Sequence, residues 1–231
     1  MGRPQHFSRD LPTRCSHLVQ QLFPIVAEGK GTKDYGGPLT TTFLLAMAMP
    51  MLILPFERVR QPASRERPHG DDRSRDEGLT QRMVKGLDAP FRSLPFFAAN
   101  VWSLVDTPTV FNTADALPDI VSRALSEQAG FDHAGDEAAS GILQAVRHSL
   151  AHGGVMYLNA DGQTSHDEDP IANIAFVSQL RKAKVEHLRV IRVEEVGFKD
   201  FLVRWAKWIK QSQLDELLDH SSVAKRLDLL Q

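Results

Sequence analysis

GDEAASGILQAVRHSLAHGG, residues 135–154, is the stretch of sequence from which the fold and the site are predicted. An Asp side chain can accept the free amide hydrogens of a first helical turn, so Asp136 is predicted to begin a helix. A left-handed glycine commonly ends a helix, so the pair Gly153-Gly154 is predicted to stop it after His152. Four apolar residues recur between these ends at helical spacing: Ile142, Leu143, Val146 and Leu150. The pattern predicts a core helix over Asp136–His152.

The last turn of this predicted helix is unusually polar for a core element. It carries Arg147, His148, Ser149 and His152. On an ideal helix the two histidines, four residues apart, lie about 40° apart, whereas Arg147 and His152 are separated by about 140°. One rigid helix therefore does not aim Arg147 and His152 at the same point. Either the Gly-Gly end loosens the last turn, or a two-fold partner brings a second copy of the cluster opposite.

Composition indicates a single globular domain over residues 1–231. The chain is 42% hydrophobic and 24% charged, which is enough apolar residue for a sizeable core. Its net charge of −2 gives no global attraction to nucleic acid, so any RNA contact requires a local basic patch. The lone cysteine, Cys15, excludes an internal disulfide, and the N-terminal residues lack the apolar core of a signal peptide. We expect a cytoplasmic protein.

The remaining periodicities predict a mainly α fold. The apolar run Thr40–Phe56 is shorter than a membrane span, contains Pro50, and is predicted to be a buried central helix. Residues 57–82 are predicted to form a charged surface loop. Further helices are predicted within Phe91–Val105 after Pro95, and over Asp115–Ala129 and Glu194–Lys210. The three strand-like runs are predicted to form a small antiparallel sheet after the motif helix: Val155–Leu158, Ile171–Leu180 (a strand or a short helix) and His187–Val193.

The motif in the last turn resembles the signature of the HEPN superfamily. An Arg is followed five residues later by His, with a polar residue after the Arg and a glycine after the second His. These are small all-helical domains, many of which are metal-independent ribonucleases. The resemblance implies a HEPN-like helical bundle and a homodimer in which two motifs face each other. The chain departs from the family at His148, where Asn is usual.

The same resemblance implies roles for the individual residues. His152 would transfer protons, Arg147 would stabilise the phosphate, and His148 and Ser149 would orient the substrate or the catalytic pair. Cleavage would need no cofactor or metal and would leave a 2′,3′-cyclic phosphate and a 5′-hydroxyl, so DNA would not be a substrate. The implied biological setting is a toxin or phage-defence role, with an antitoxin or another regulatory protein as a partner and no membrane association.

Three other interpretations of the motif remain open. The chain could be a non-catalytic HEPN-like module that binds a partner or dimerises, and its motif side chains would then be paired with carboxylates or backbone carbonyls. The cluster could be purely structural, because cations offset the negative end of a helix dipole. It could also bind zinc through His148 and His152, although Ser149 stands where a zincin has its catalytic Glu.

Overall fold

The structure is a computed structural model. It describes residues 4, 6–29, 35, 38–60, 72–166, 169–182 and 185–228. In chain order the elements are α1 (Phe7–Ala27), α2 (Thr40–Pro55), α3 (Glu77–Val84), β1 (Trp102–Thr107), α4 (Asp119–Ser126), α5 (Gln128–Asp136), α6 (Ala139–His152), β2 (Val155–Leu158), β3 (Asn173–Lys182), β4 (Val185–Glu194) and α7 (Glu195–Asp228).

The fold is mixed α/β, so the prediction of a mainly α, HEPN-like helical bundle is wrong. Four strands form one antiparallel sheet in the order β1-β4-β3-β2. The three strands expected after the motif helix are present as β2, β3 and β4. The fourth, β1, lies where a helix was predicted after Pro95. It pairs with β4 from Trp102 opposite Val193 to Thr107 opposite Leu188, and such long-range pairing overrides a short local pattern.

Both faces of the sheet are covered, because side chains of alternate strand residues point to opposite sides. Ile174 and Phe176 of β3 join the larger core with α1, α2, α6 and α7, whereas Ala175 and Val177 join a smaller core that includes α4. The larger core contains a series of edge-to-face and stacked aromatic rings: Phe91, Phe96, Trp102, Phe198, Phe201, Trp205 and Trp208. The sheet therefore separates two apolar layers.

The predicted central helix, α2, is helical despite its internal prolines. Leu44, Ala48 and Met51 are completely buried. Pro55 has no N–H to offer the Met51 carbonyl one turn earlier, and the indole Nε1–H of Trp205 donates to that oxygen instead, at 2.9 Å. Within the part of the chain that the structure describes, Thr40–Arg60 alone is long and apolar enough to cross a membrane, with a mean hydropathy of 1.5. It packs against α1, α6 and α7, and 39% of this apolar stretch is buried within the described part of the chain.

Several predicted boundaries differ from those observed. The helix expected over Asp115–Ala129 is two helices, α4 and α5, which are separated at Glu127 by extended backbone. Asp136 ends α5 and does not begin the motif helix, which starts at Ala139. In the segment 57–82, expected to be a loop, residues 56–60 form a π-helical turn and Glu77 begins α3, while residues 61–71 lie outside the described part.

Candidate functional site

The motif helix α6 ends as its glycines predict. Its last residue is His152, and Gly153 adopts the left-handed conformation with φ of 74°. The Gly154 amide then donates to the Ser149 carbonyl at 2.9 Å, which satisfies one of the free carbonyls at the helix end. The helix stays regular to this point, so a loosened last turn does not bring Arg147 and His152 together.

The end of α6 is fixed directly to strand β3. The amide of Val177 donates to the Gly154 carbonyl at 2.7 Å. The Ser149 hydroxyl is completely buried and lies 2.9 Å from the Ala145 carbonyl and 2.8 Å from the Val177 carbonyl, so that its hydrogen can serve either acceptor. A Cβ on Gly154 would overlap the Val177 carbonyl oxygen. Ser149 and Gly154 therefore hold the motif turn against the sheet, and Ser149 does not face solvent.

Arg147 points away from the histidines, towards the π-helical turn that follows α2. Its Nη2 is hydrogen-bonded to Oε1 of Glu57, in an ion pair whose side chains are 18% and 20% exposed. The Nε of Arg147 is buried and finds no acceptor among the described residues. The guanidinium is therefore held in place by a carboxylate and retains unused donors.

His148 and His152 form the second half of the cluster. Their ring centroids lie 4.4 Å apart, with the ring planes inclined by 50°. His152 is exposed, whereas His148 is half-buried. Burial lowers the pKa of His148, and the neighbouring His152 and Arg147 lower it further by repelling a second positive charge. His148 is accordingly held neutral to lower pH than an ordinary imidazole.

The structure thus brings together part of the predicted site. The two histidines are adjacent, and Arg147 is close enough for its charge to act on His148. Among the described residues, no hydrogen bond or ring contact joins Arg147 to His152. Glu57 was not identified from the sequence, because it begins a run of charged residues that gives no sign of a partner ninety positions away.

Comparison with protein-family models, curated proteins and solved structures finds no match to this chain. His148 and His152 have no third metal-binding neighbour: within the described ranges, no three His, Cys, Asp or Glu side chains are grouped as metal ligands.

What the arrangement can do chemically follows from the three side chains that reach the surface of this turn. A neutral imidazole can accept a proton, and a protonated imidazole can donate one. A guanidinium remains charged and can donate to phosphate oxygens. A base, an acid and a cation are the groups that phosphodiester transfer without a metal requires, and the end of α6 carries all three, although Arg147 is directed at Glu57.

Proposed function

We propose that this chain is a metal-independent endoribonuclease that acts at the end of α6 through a motif resembling that of HEPN ribonucleases. The observation that carries the proposal is the pair of adjacent imidazoles, His148 and His152, at 4.4 Å. His148, the less exposed and more readily neutral ring, can take the proton of a 2′-hydroxyl. His152, exposed at the helix end, can protonate the leaving 5′-oxygen. Arg147 contributes positive charge beside the phosphate.

The reaction balances without any other reactant. The 2′-oxygen forms a bond to phosphorus as its proton passes to a histidine, and the bond from phosphorus to the 5′-oxygen breaks as that oxygen receives a proton. The products are a 2′,3′-cyclic phosphate and a 5′-hydroxyl. The 2′-hydroxyl requirement makes RNA, and not DNA, the substrate.

The proposed active form is a homodimer in the cytoplasm. Arg147 and His152 diverge on the helix, and Arg147 is already paired with Glu57. A second copy across a two-fold axis would supply the cation that one protomer does not direct at its own His152. A toxin or phage-defence role, with an antitoxin as a regulatory partner, belongs to the same proposal.

The test is cleavage of a mixed RNA pool in EDTA by the purified wild type, Arg147→Lys and His152→Ala. A matched control is His133→Ala, because His133 is exposed on α5, away from the site. The proposal expects cleavage by the wild type and the control, a loss of at least about 100-fold in His152→Ala, and a 2′,3′-cyclic phosphate end. Full activity in both site variants would overturn it.

One observation favours a second candidate, a non-catalytic module that uses the same surface to bind a partner or to dimerise. In such a module the motif side chains are paired with carboxylates, and the Arg147–Glu57 ion pair has this form. This candidate expects a folded wild type that cleaves no RNA at any protein concentration. Sedimentation of the wild type beside Arg147→Lys would then show whether the cluster serves self-association.

A further inference from the structure

A groove adjoins the catalytic turn on the side of α6 that faces β3 and β4. It encloses about 420 Å³ and is lined chiefly by Gln144, His148, Ser178, Gln179, Leu180 and Arg189. Gln144 and His148 are one helical turn apart on α6, a rise of about 6 Å. Because His148 lines the groove, a group bound beside Gln144 would be next to the reacting phosphate.

Arg189 forms the polar floor of the groove and is only 7% exposed. Its Nε and Nη2 donate to the two carboxylate oxygens of Asp106 at 2.8 and 2.9 Å, and Nη2 also donates to Glu137 at 3.0 Å. Its Nη1 makes no hydrogen bond to any described residue. These three contacts fix the orientation of Nη1, a donor for which no described residue is an acceptor.

Because Gly141 has no side chain, Arg189 Nη1 stays accessible from the groove. A Cβ at this position would stand 3.3 Å from Arg189 Nη1 and 2.5 Å from Glu137 Oε1. Gly141 also lines the groove, one turn before Ala145. A larger residue would fill the space in front of the guanidinium, so the absence of a side chain keeps the floor of the groove open.

The charged groups around Arg189 disfavour the binding of a second phosphate group in the groove. The carboxylates of Asp106 and Glu137, both paired with Arg189, lie beside this donor and repel an anion. A neutral ligand with a carbonyl oxygen fits the free Nη1 donor better than an anion. The exposed amide of Gln144, which bonds to no described residue, adds both donors and acceptors at the groove's rim. The side chain of Gln179 lies on the sheet face of Ala175 and Val177 and points away from the groove.

We infer that this groove binds the nucleobase next to the scissile phosphate, and that it selects a keto base, uracil or guanine. Arg189 Nη1 donates to the base carbonyl, and the amide oxygen of Gln144 accepts from the adjacent ring N–H. Adenine has no carbonyl and cytosine has no ring N–H beside its carbonyl, so both leave a polar group of the groove unpaired, which is costly. The inference rests on the proposed ribonuclease activity only in stating that the phosphate beside the bound base is cleaved. The base preference itself can be measured without cleavage.

The experiment has two arms on the folded full-length chain. In the first, calorimetric titration measures binding of uridine, guanosine, adenosine and cytidine to the wild type and Gln144→Ala. Gln81→Ala is the matched control, because Gln81 is an exposed glutamine on α3, and Gln179→Ala is a second control, because its exposed side chain lies on the opposite face of the sheet. We expect uridine or guanosine to bind at least about 10-fold more tightly than the other two nucleosides, and this ratio to fall in Gln144→Ala alone.

In the second arm, cleavage sites in a random RNA pool are sequenced for the same proteins. The inference is supported if the wild type cleaves next to uracil or guanine and Gln144→Ala cleaves next to all four bases equally. RNA cleavage with a base preference unchanged in Gln144→Ala overturns it and leaves the ribonuclease proposal standing. Keto-selective nucleoside binding without any cleavage retains the groove as a base site and removes the ribonuclease proposal. Equal or absent binding of all four nucleosides overturns the base site.

Discussion

The imidazole rings of His148 and His152 lie 4.4 Å apart at the end of α6, and only the second is exposed. The two imidazoles are chemically identical, but this difference in burial gives them different environments. It makes His148 the better candidate for the base and His152 the better candidate for the acid. The catalytic proposal and its pH dependence both follow from that asymmetry.

The first prediction concerns stability against pH. Because the folded pKa of His148 lies below its ordinary value of 6.5, the unfolded chain takes up a proton first as the pH falls. The free energy of unfolding should therefore decline as the pH drops below about 6.5. Urea denaturation of the wild type and His148→Gln between pH 7.5 and 5 measures this, and the variant should show a flatter profile.

Exposed His133 supplies the control for that measurement, through His133→Gln. Its pH profile should follow the wild type. A second check is the NMR titration of His148 in His152→Ala, where removal of a neighbouring positive charge should raise the His148 pKa. A wild-type profile with the same slope as that of His148→Gln would contradict the prediction.

The second prediction concerns the Arg147–Glu57 pair. Glu57→Ala leaves a guanidinium that is 18% exposed without its carboxylate, so unfolding should become easier by about 1–3 kcal/mol. Thermal denaturation of Glu57→Ala, Arg147→Met and the double variant gives the coupling between the two side chains. Glu127→Ala, at an exposed carboxylate between α4 and α5, should change stability by less than about 0.5 kcal/mol. Additive single-variant effects would argue against the pair.

The third prediction concerns the contact between the motif turn and β3. Gly154→Ala would drive a methyl group into the Val177 carbonyl, and backbone cannot yield as a flexible side chain can. We expect a loss of about 3 kcal/mol in the free energy of unfolding. Gly153→Asn is the matched control, because Gly153 has φ of 74° and open space around it, and Asn tolerates that conformation. If the control lost as much stability as Gly154→Ala, the explanation by contact with Val177 would fail.

The fourth prediction concerns Asp72, which ties the start of α1 to the π-helical turn. Arg58 donates to both of its oxygens at 2.8 Å, and the Ser8 hydroxyl donates to Oδ2, also at 2.8 Å. Burial alone would raise the pKa of Asp72, but the hydrogen bonds from Arg58 and Ser8 outweigh it and lower the pKa to about 2. The carboxylate therefore contributes about 2 kcal/mol above pH 4, and this contribution is lost as the pH falls towards 2.

Unfolding measured from pH 5 to pH 2 tests that contribution. Asp72→Asn should lack the acid-dependent loss that the wild type shows over this interval. Asp161→Asn, at an exposed turn residue, should behave as the wild type does. If Asp72→Asn lost as much stability as the wild type between pH 5 and pH 2, other carboxylates would be responsible for the acid sensitivity.

The sequence by itself determined the motif helix from Ile142 to Gly153, because apolar spacing and a terminal glycine are local signals. It also predicted strands at β2 and β4 from their β-prone runs, but it left the run that forms β3 open as a strand or a short helix. The start of α6 was missed, because Asp136 ends α5, where it pairs at 2.7 Å with Arg92, a residue distant in the sequence. The four side chains of the site were named from the motif alone, but their environments were not.

Only the tertiary structure decided that the fold is α/β, because β1 acquires its hydrogen bonds from β4, about ninety residues later in the chain. It alone paired Arg147 with Glu57, buried Ser149 against Val177 and placed Arg189 beneath the groove beside His148. Each of these depends on contacts between distant segments, and neither periodicity nor spacing along a chain encodes which segments meet. The sequence supplied the reactive groups, and packing set their protonation and partners.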